Sequence, residues 1–216
     1  MTNSQDSPLQ AILIIGPTGS GKTPLGQHAQ SHGFHGRCCS HFDFGHKLRS
    51  ISSGKTSIAE LSITDKNLIK RVISGGALLE DQHFHIAQAI LADHIRKNHI
   101  DKNSSIILNG LPRHPGQARD IENQIEVINI INLHCSPQTV FQRIYANSGG
   151  DRTDRPDDTR DLIAAKLKIF DERTRPLLQY YAQQKVPITT ITVTTKSTPQ
   201  EIWENFLEQS SSPHHL

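Results

Sequence analysis

Residues 16–23 read Gly16-Pro17-Thr18-Gly19-Ser20-Gly21-Lys22-Thr23, a complete G-x-x-x-x-G-K-[ST] string directly after the apolar run Ala11-Ile12-Leu13-Ile14-Ile15. A phosphate-cradling loop works between the end of a buried strand and the start of a helix, and the string lies at such a junction. Gly16, Gly19 and Gly21 open backbone conformations closed to other residues, so that successive N–H groups turn toward phosphate oxygens. Lys22 adds a cation for the β and γ phosphates, and the Thr23 hydroxyl is placed to hold Mg2+. Pro24 falls in the first turn of the following helix, where a missing N–H breaks no helical bond. The chemistry implied is the binding of a nucleoside triphosphate.

The elements that must position this loop alternate along the chain. Short apolar runs rich in branched residues occur at 11–15, about 38–42, 105–108, 127–133 and 188–193. Residues 78–96 carry Leu79, Phe84, Ala87, Leu91 and Ile95 at roughly helical spacing. From Leu162 through Ile163, Leu167, Phe170, Thr174 and Leu177 to Tyr181 a second face steps by threes and fours. Pro176 is expected to kink that helix rather than end it. Pro199–Leu207 reads as an amphipathic helix opened by proline. Strands alternating with helices predict an α/β fold, a five-stranded parallel sheet with helices on both faces and the ligand at the carboxyl ends of the strands.

Residues 43–77 and 147–158 fit the alternation badly, and both are expected to lie over the sheet edge rather than in the core. The organisation read from this is one domain over 1–216. Its core would span 10–42, 78–146 and 159–208, with an insert at 43–77 and a short charged lid at 147–158.

Composition bounds the class. The 216 residues carry 23 basic and 21 acidic side chains, a formal charge of +2. That balance argues against a general nucleic-acid surface and for a local basic cluster. Cys38, Cys39 and Cys135 fit a reducing compartment, no stretch has membrane-spanning length, and the polar start lacks a signal-peptide pattern. A cytoplasmic monomer without membrane or nucleic-acid partners is expected. The 13 histidines are scattered without metal-site spacing and are read as structural or surface residues.

A second motif follows the run Ser105–Leu108. Asn109-Gly110-Leu111-Pro112-Arg113-His114-Pro115-Gly116-Gln117-Ala118 resembles the (D)-G-F-P-R-x-x-x-Q-A signature of the adenylate kinases and related nucleoside monophosphate kinases. Further segments align with that family. Gly45-His46-Lys47-Leu48-Arg49 resembles T-G-D-M-L-R, Gly75–Leu79 resembles A-G-x-L-V, and Arg155-Pro156-Asp157-Asp158 resembles the R-x-D-D of the lid. Thr174-Arg175-Pro176-Leu177 through Tyr181 is similar to T-x-P-L-x-x-Y-Y. The likeness runs from about residue 11 to residue 207.

The resemblance implies transfer of the γ-phosphoryl group from Mg·ATP to a nucleoside monophosphate, AMP first among them. It implies ATP contacts from Gly16, Gly19, Ser20, Gly21, Lys22, Thr23 and Arg143, and monophosphate contacts from Phe44, Arg49, Leu78, Arg113 and Gln117. Gln117 would hydrogen-bond the acceptor base. Lys22, Arg113, Arg155 and Lys166 would form the catalytic set, with Thr23 the Mg2+ ligand. Transfer of this kind rests on positioning and cationic stabilisation, which accounts for the clustered cations.

The chain also departs from the pattern. The acid that opens the G-F-P-R signature is Asn109 here, the aspartate of T-G-D-M is His46, and Lys166 stands where the family has an arginine. Mg2+ prefers carboxylate and water oxygens, so these losses predict weaker metal positioning; Asp43 is close enough in sequence to substitute. Asn147 stands where a second arginine follows Arg143, and Arg152 lies within the lid to compensate. Two alternatives stay open on these residues: a nucleotide-binding protein of the same fold with little transferase activity, and a P-loop kinase for another small metabolite.

Overall fold

The branched apolar runs become parallel strands because the sequence between each pair is long enough to cross back over the sheet as helix. The computed structural model describes residues 7–153 and 158–211. Among these the order is β1 (Leu9–Ile15), α1 (Lys22–His32), β2 (Cys39–Asp43), α2 (Phe44–Ser52), α3 (Ile63–Gly75), a 3-10 turn (Asp81–His83) and α4 (Phe84–Lys97). Then come β3 (Ser105–Asn109), α5 (Pro115–Ile121), β4 (Ile125–His134), α6 (Pro137–Tyr145), α7 (Arg160–Ile169), a π turn (Phe170–Thr174), α8 (Pro176–Gln183), β5 (Ile188–Thr192) and α9 (Pro199–Ser211). The strands lie in the order β2-β3-β1-β4-β5 and every pair is parallel. β1 sits between β3 and β4, where the winding reverses, so the chain leaving β1 opens onto a crevice.

Alternate residues of the sheet feed two cores. Ala11, Leu13 and Ile15 of β1 join Ile106 and Leu108 of β3 against Ile90 of α4 and Ala118 of α5. Ile12 and Ile14 join Ile107 and Leu133 against Leu25 and Ala29 of α1 and against Trp203 and Phe206 of α9. Phe34 stacks on Phe206 at 5.6 Å between ring centroids and meets Trp203 edge-on at 6.2 Å, which seats the last helix beside α1. No helix among the described residues is long and apolar enough to cross a membrane.

Three elements differ from the sequence reading, each for a physical reason. The insert does not merely overlie the sheet edge: Phe44, Leu48 and Ile51 repeat at helical spacing, and α2 buries them with Ile69 and Val72 of α3 in the larger core. The helix expected from residue 78 begins at Phe84. Leu78 and Leu79 are buried on extended chain, and the Leu79 carbonyl is taken by the Gln117 side chain rather than by a helical N–H. The kink expected at Pro176 is a π turn just before it, closed by Arg175 N–H donating to the Phe170 carbonyl at 2.8 Å.

Candidate active site

The phosphate loop connects β1 to α1 as its glycines require. Gly19 and Gly21 have φ of 77° and 96°, in the left-handed region, and Gly21 is the residue that leads into α1. The Lys22 ammonium folds back over the loop and donates to the Gly16 and Pro17 carbonyls, each at 2.7 Å. Ser20 is fully buried beneath the loop and does not reach the cleft wall, whereas Gly16, Gly19, Gly21, Lys22 and Thr23 all line the cleft.

Beside the lysine, three side chains from three elements meet. The Thr23 hydroxyl donates to Asp43 Oδ2 at 2.5 Å, and Asn109 Nδ2 donates to the same oxygen at 3.0 Å. The other carboxylate oxygen, Oδ1, caps α2 by accepting from His46 N–H at 2.8 Å. Burial, the largest influence, acts to raise the Asp43 carboxyl, but the bonds from Thr23 and His46 N–H together with nearby His41 and Arg49 outweigh it and hold the group below the usual carboxylate range. A hydroxyl and an ionised carboxylate are the hard oxygen donors that Mg2+ takes, so this corner fits the ion of a bound nucleotide.

Next to this corner, around a point at Gly45 that also lies 3.5 Å from Asp43 Oδ1, two arginines converge. A methyl group built on Gly45 would lie 3.3 Å from Arg49 Nη1 and 3.9 Å from Arg113 Nη2, so both guanidinium tips approach the same small volume. Arg113 is anchored through Nε to the Gly110 carbonyl at 3.0 Å. Paired planar donors of this kind match the oxygens of a phosphate. Leu48, Val72, Ile73 and Leu78 provide an adjoining apolar wall, closed by Ile169 and by Phe170 of the π turn.

Two residues expected on this side are turned away from it. Gln117 is 1% exposed, with Oε1 accepting from Arg113 N–H at 2.9 Å and Nε2 donating to the Leu79 carbonyl at 3.0 Å. Its amide thus braces the loop that carries Arg113. Phe44 is buried against Phe42, ring centroids 6.1 Å apart, as part of the core.

The third wall comes from α6 and the lid. Arg143 is buried and donates to the Gly19, Thr194 and Ser197 carbonyls at 3.2, 2.7 and 3.2 Å, tying the phosphate loop to the chain after β5 while lining the cleft. Arg152 forks onto Asp158 at 2.8 and 2.5 Å and reaches the Thr18 hydroxyl at 3.2 Å. Lys166 Nζ stands 3.9 Å from the same carboxylate. Arg155 lies outside the described residues. Lys22, Arg49, Arg113, Arg143, Arg152 and Lys166 therefore line one cleft with Asp43 and Asp151, a local positive field in a nearly neutral chain. The link through Asp158 and Thr18 escapes a reading of the sequence, although Asp158 ends the R-x-D-D segment.

Comparison with known proteins finds relatives along most of the chain. The family model described as Adenylate kinase matches residues 14–186. Adenylate kinase 1 of Schistosoma mansoni is 26% identical over 192 residues, spanning 88% of this chain and 88% of its own. Adenylate kinase 1 of Drosophila melanogaster is 28% identical over 182 residues, spanning 82% of this chain and 71% of its own. Among solved structures, a gluconokinase from Sinorhizobium meliloti 1021 superposes with a TM-score of 0.51 at 16% identity, over 94% of this chain and 91% of that one, a likeness of fold.

Proposed function

We propose that this chain, which belongs to the adenylate kinase family, transfers the γ-phosphoryl group of Mg·ATP to a nucleoside monophosphate, with AMP as the acceptor. Family membership rests on the match over residues 14–186 and makes the protein a kinase, a phosphotransferase built on a P-loop fold. The observation that carries the finer reading is the convergence of Arg49 and Arg113 over Gly45, a second phosphate-binding pole facing the phosphate loop. An acceptor that already bears a phosphate is the kind of substrate such a pole serves. AMP in particular is supported by the relatives, which are adenylate kinases by name.

In this reading Lys22 and the loop amides hold the donor phosphates, with the Arg143 guanidinium forming the wall behind them. Thr23 and Asp43 would hold Mg2+, whose charge would offset the negative charge that develops on the phosphates during transfer. Arg49 and Arg113 orient the acceptor phosphate for in-line attack, and Lys166, with Arg155, stabilises the migrating group. Arg152, held by Asp158 against Thr18, seats the lid on the phosphate loop and excludes water that would otherwise hydrolyse ATP.

A coupled assay of nucleoside diphosphate formation with AMP, GMP, CMP and UMP tests the proposal. The expected result is ADP formation that depends on AMP; no turnover with any of the four acceptors overturns it. A second reading, a P-loop kinase for a different small phosphorylated metabolite, is favoured by the withdrawal of Gln117 from the cleft, and the same panel extended to sugar phosphates distinguishes it.

A further inference from the structure

We infer that Asp43 supplies the carboxylate that serves the Mg2+ of the donor nucleotide, a task this chain carries at the end of β2, with Asn109 at the end of β3 as its neutral partner. The inference rests on the donor-site reading above and deepens it. The two residues are direct neighbours, since β2 and β3 pair in a register that sets Asp43 beside Asn109, while Asn109 also lies beside Ile14 of β1, next to the phosphate loop. An acid at either strand end therefore reaches the same corner of the cleft.

The hydrogen bonds show which of the two is equipped for the work. By donating its proton to Asp43 Oδ2 at 2.5 Å while accepting from Asn109 Nδ2 at 3.3 Å, the Thr23 hydroxyl keeps one lone pair for a cation, the orientation that a P-loop threonine needs as a ligand. The carboxylate is itself fixed, because Oδ1 is held by His46 N–H at 2.8 Å at the start of α2. Asn109 offers the opposite polarity. Its Nδ2 points at Asp43 Oδ2 at 3.0 Å and at Thr23 Oγ1 at 3.3 Å, so it donates into the corner.

The pairing also explains why position 109 is an amide. A carboxylate there would stand about as close to Asp43 as the 3.0 Å bond it replaces, and two acids at that separation do not both stay ionised. Asparagine keeps the bond and avoids the repulsion. The substitution at 109 is therefore the complement of the acid at 43, rather than the loss of a metal site.

The test is calorimetric titration of the whole 216-residue chain with ATP, once in excess Mg2+ and once in EDTA, for the unaltered chain, Asp43→Asn and the exchange Asp43→Asn/Asn109→Asp. Asparagine is as good an N-cap as aspartate, so the single variant keeps the start of α2, and Asp43→Ser, also a capping residue, gives a second measurement should Asp43→Asn fail to fold. The unaltered chain is expected to bind ATP in EDTA and to bind more tightly with Mg2+. In Asp43→Asn the ratio of ATP affinity in Mg2+ to ATP affinity in EDTA is expected to fall by about tenfold to a hundredfold. The exchange, which moves the carboxylate one strand over, is expected to recover most of it. Undiminished Mg2+ enhancement in Asp43→Asn or Asp43→Ser, or an exchange no better than the single variant, overturns the inference and leaves the donor site standing. Failure of the unaltered chain to bind ATP under both conditions overturns the donor-site reading and the inference with it.

Discussion

Arg152 and Asp158 meet as a double hydrogen bond within the lid, Nε to Oδ2 at 2.8 Å and Nη2 to Oδ1 at 2.5 Å, and the same Nη2 reaches Thr18 Oγ1 at 3.2 Å. Both side chains are mostly shielded, 9% and 13% exposed, so solvent screens the pair weakly. Arg152 thereby joins Asp158 to the phosphate loop. Asp158→Asn keeps the shape of the side chain and removes its charge; about 1.5 kcal/mol of lost charge-assisted bonding corresponds to a rise of about tenfold in KM for ATP. Acceptor-independent ATP hydrolysis should rise relative to transfer as water enters. Steady-state kinetics with and without acceptor measure both.

The two arginines over Gly45 predict an effect confined to the other substrate. Arg49→Lys retains a charge but loses the planar fork, which is a substantial change if the pair grips the acceptor phosphate as proposed. The expected outcome is an increase of about tenfold in KM for the acceptor, with KM for ATP unchanged within about twofold. A change of equal size in both constants would mean that the arginine serves the whole cleft rather than its acceptor pole.

Gln117 predicts a loss of stability without a change of taste. Its buried amide satisfies the Arg113 N–H and the Leu79 carbonyl, and Gln117→Ala would leave both without that partner. Stability should fall by about 2–4 kcal/mol, read from chemical denaturation. With the Arg113 loop loosened, KM should rise for every accepted nucleoside monophosphate by a similar factor. A selective loss for one base would show instead that the amide reads the acceptor.

The same residues mark how far the chain was legible before its structure. The strands were evident because branched runs bounded by turns have few other uses, and the phosphate loop because its residues are contiguous. What motif spacing does not carry is side-chain direction. Gln117 and Phe44 sit where motif spacing expects ligand contacts, yet Leu79, 38 residues away, holds the one and Phe42, at the end of the adjoining strand, packs against the other, and both side chains are buried. The Thr23–Asp43–Asn109 corner is built from residues 20 and 66 positions apart, brought together by the β2–β3 register and by the start of α1 beside it. Pro176 announced an irregular helix, but its form, a π turn that brings Ile169 and Phe170 to the cleft, depends on which carbonyl the Arg175 N–H finds.

Buried His94 predicts a particular acid sensitivity. Its ring lies 5.1 Å from Phe42, and its nitrogens meet Ser40 Oγ and Asn98 Nδ2, each at 3.1 Å. Burial, then the positive neighbours Lys47 and His41, push its pKa down to about 4, with Asp93 opposing. An unfolded histidine takes up its proton near pH 6.5, so between about 6.5 and 4 the unfolded chain binds more protons and folding stability falls as pH falls. The difference in pKa corresponds to about 3 kcal/mol, lost in full only below pH ~4. His28 and His41 are also shifted down by burial and act in the same sense, so the comparison must be with His94→Gln, which lacks this proton site. Asp43 and Asp65 are held below the usual carboxylate range, so their contributions fade as pH falls below about 4, largely outside this window. Denaturant unfolding of the two proteins at intervals from pH 7 to pH 4 should show the shallower slope in His94→Gln, and parallel slopes would mean that His94 is protonated in the fold.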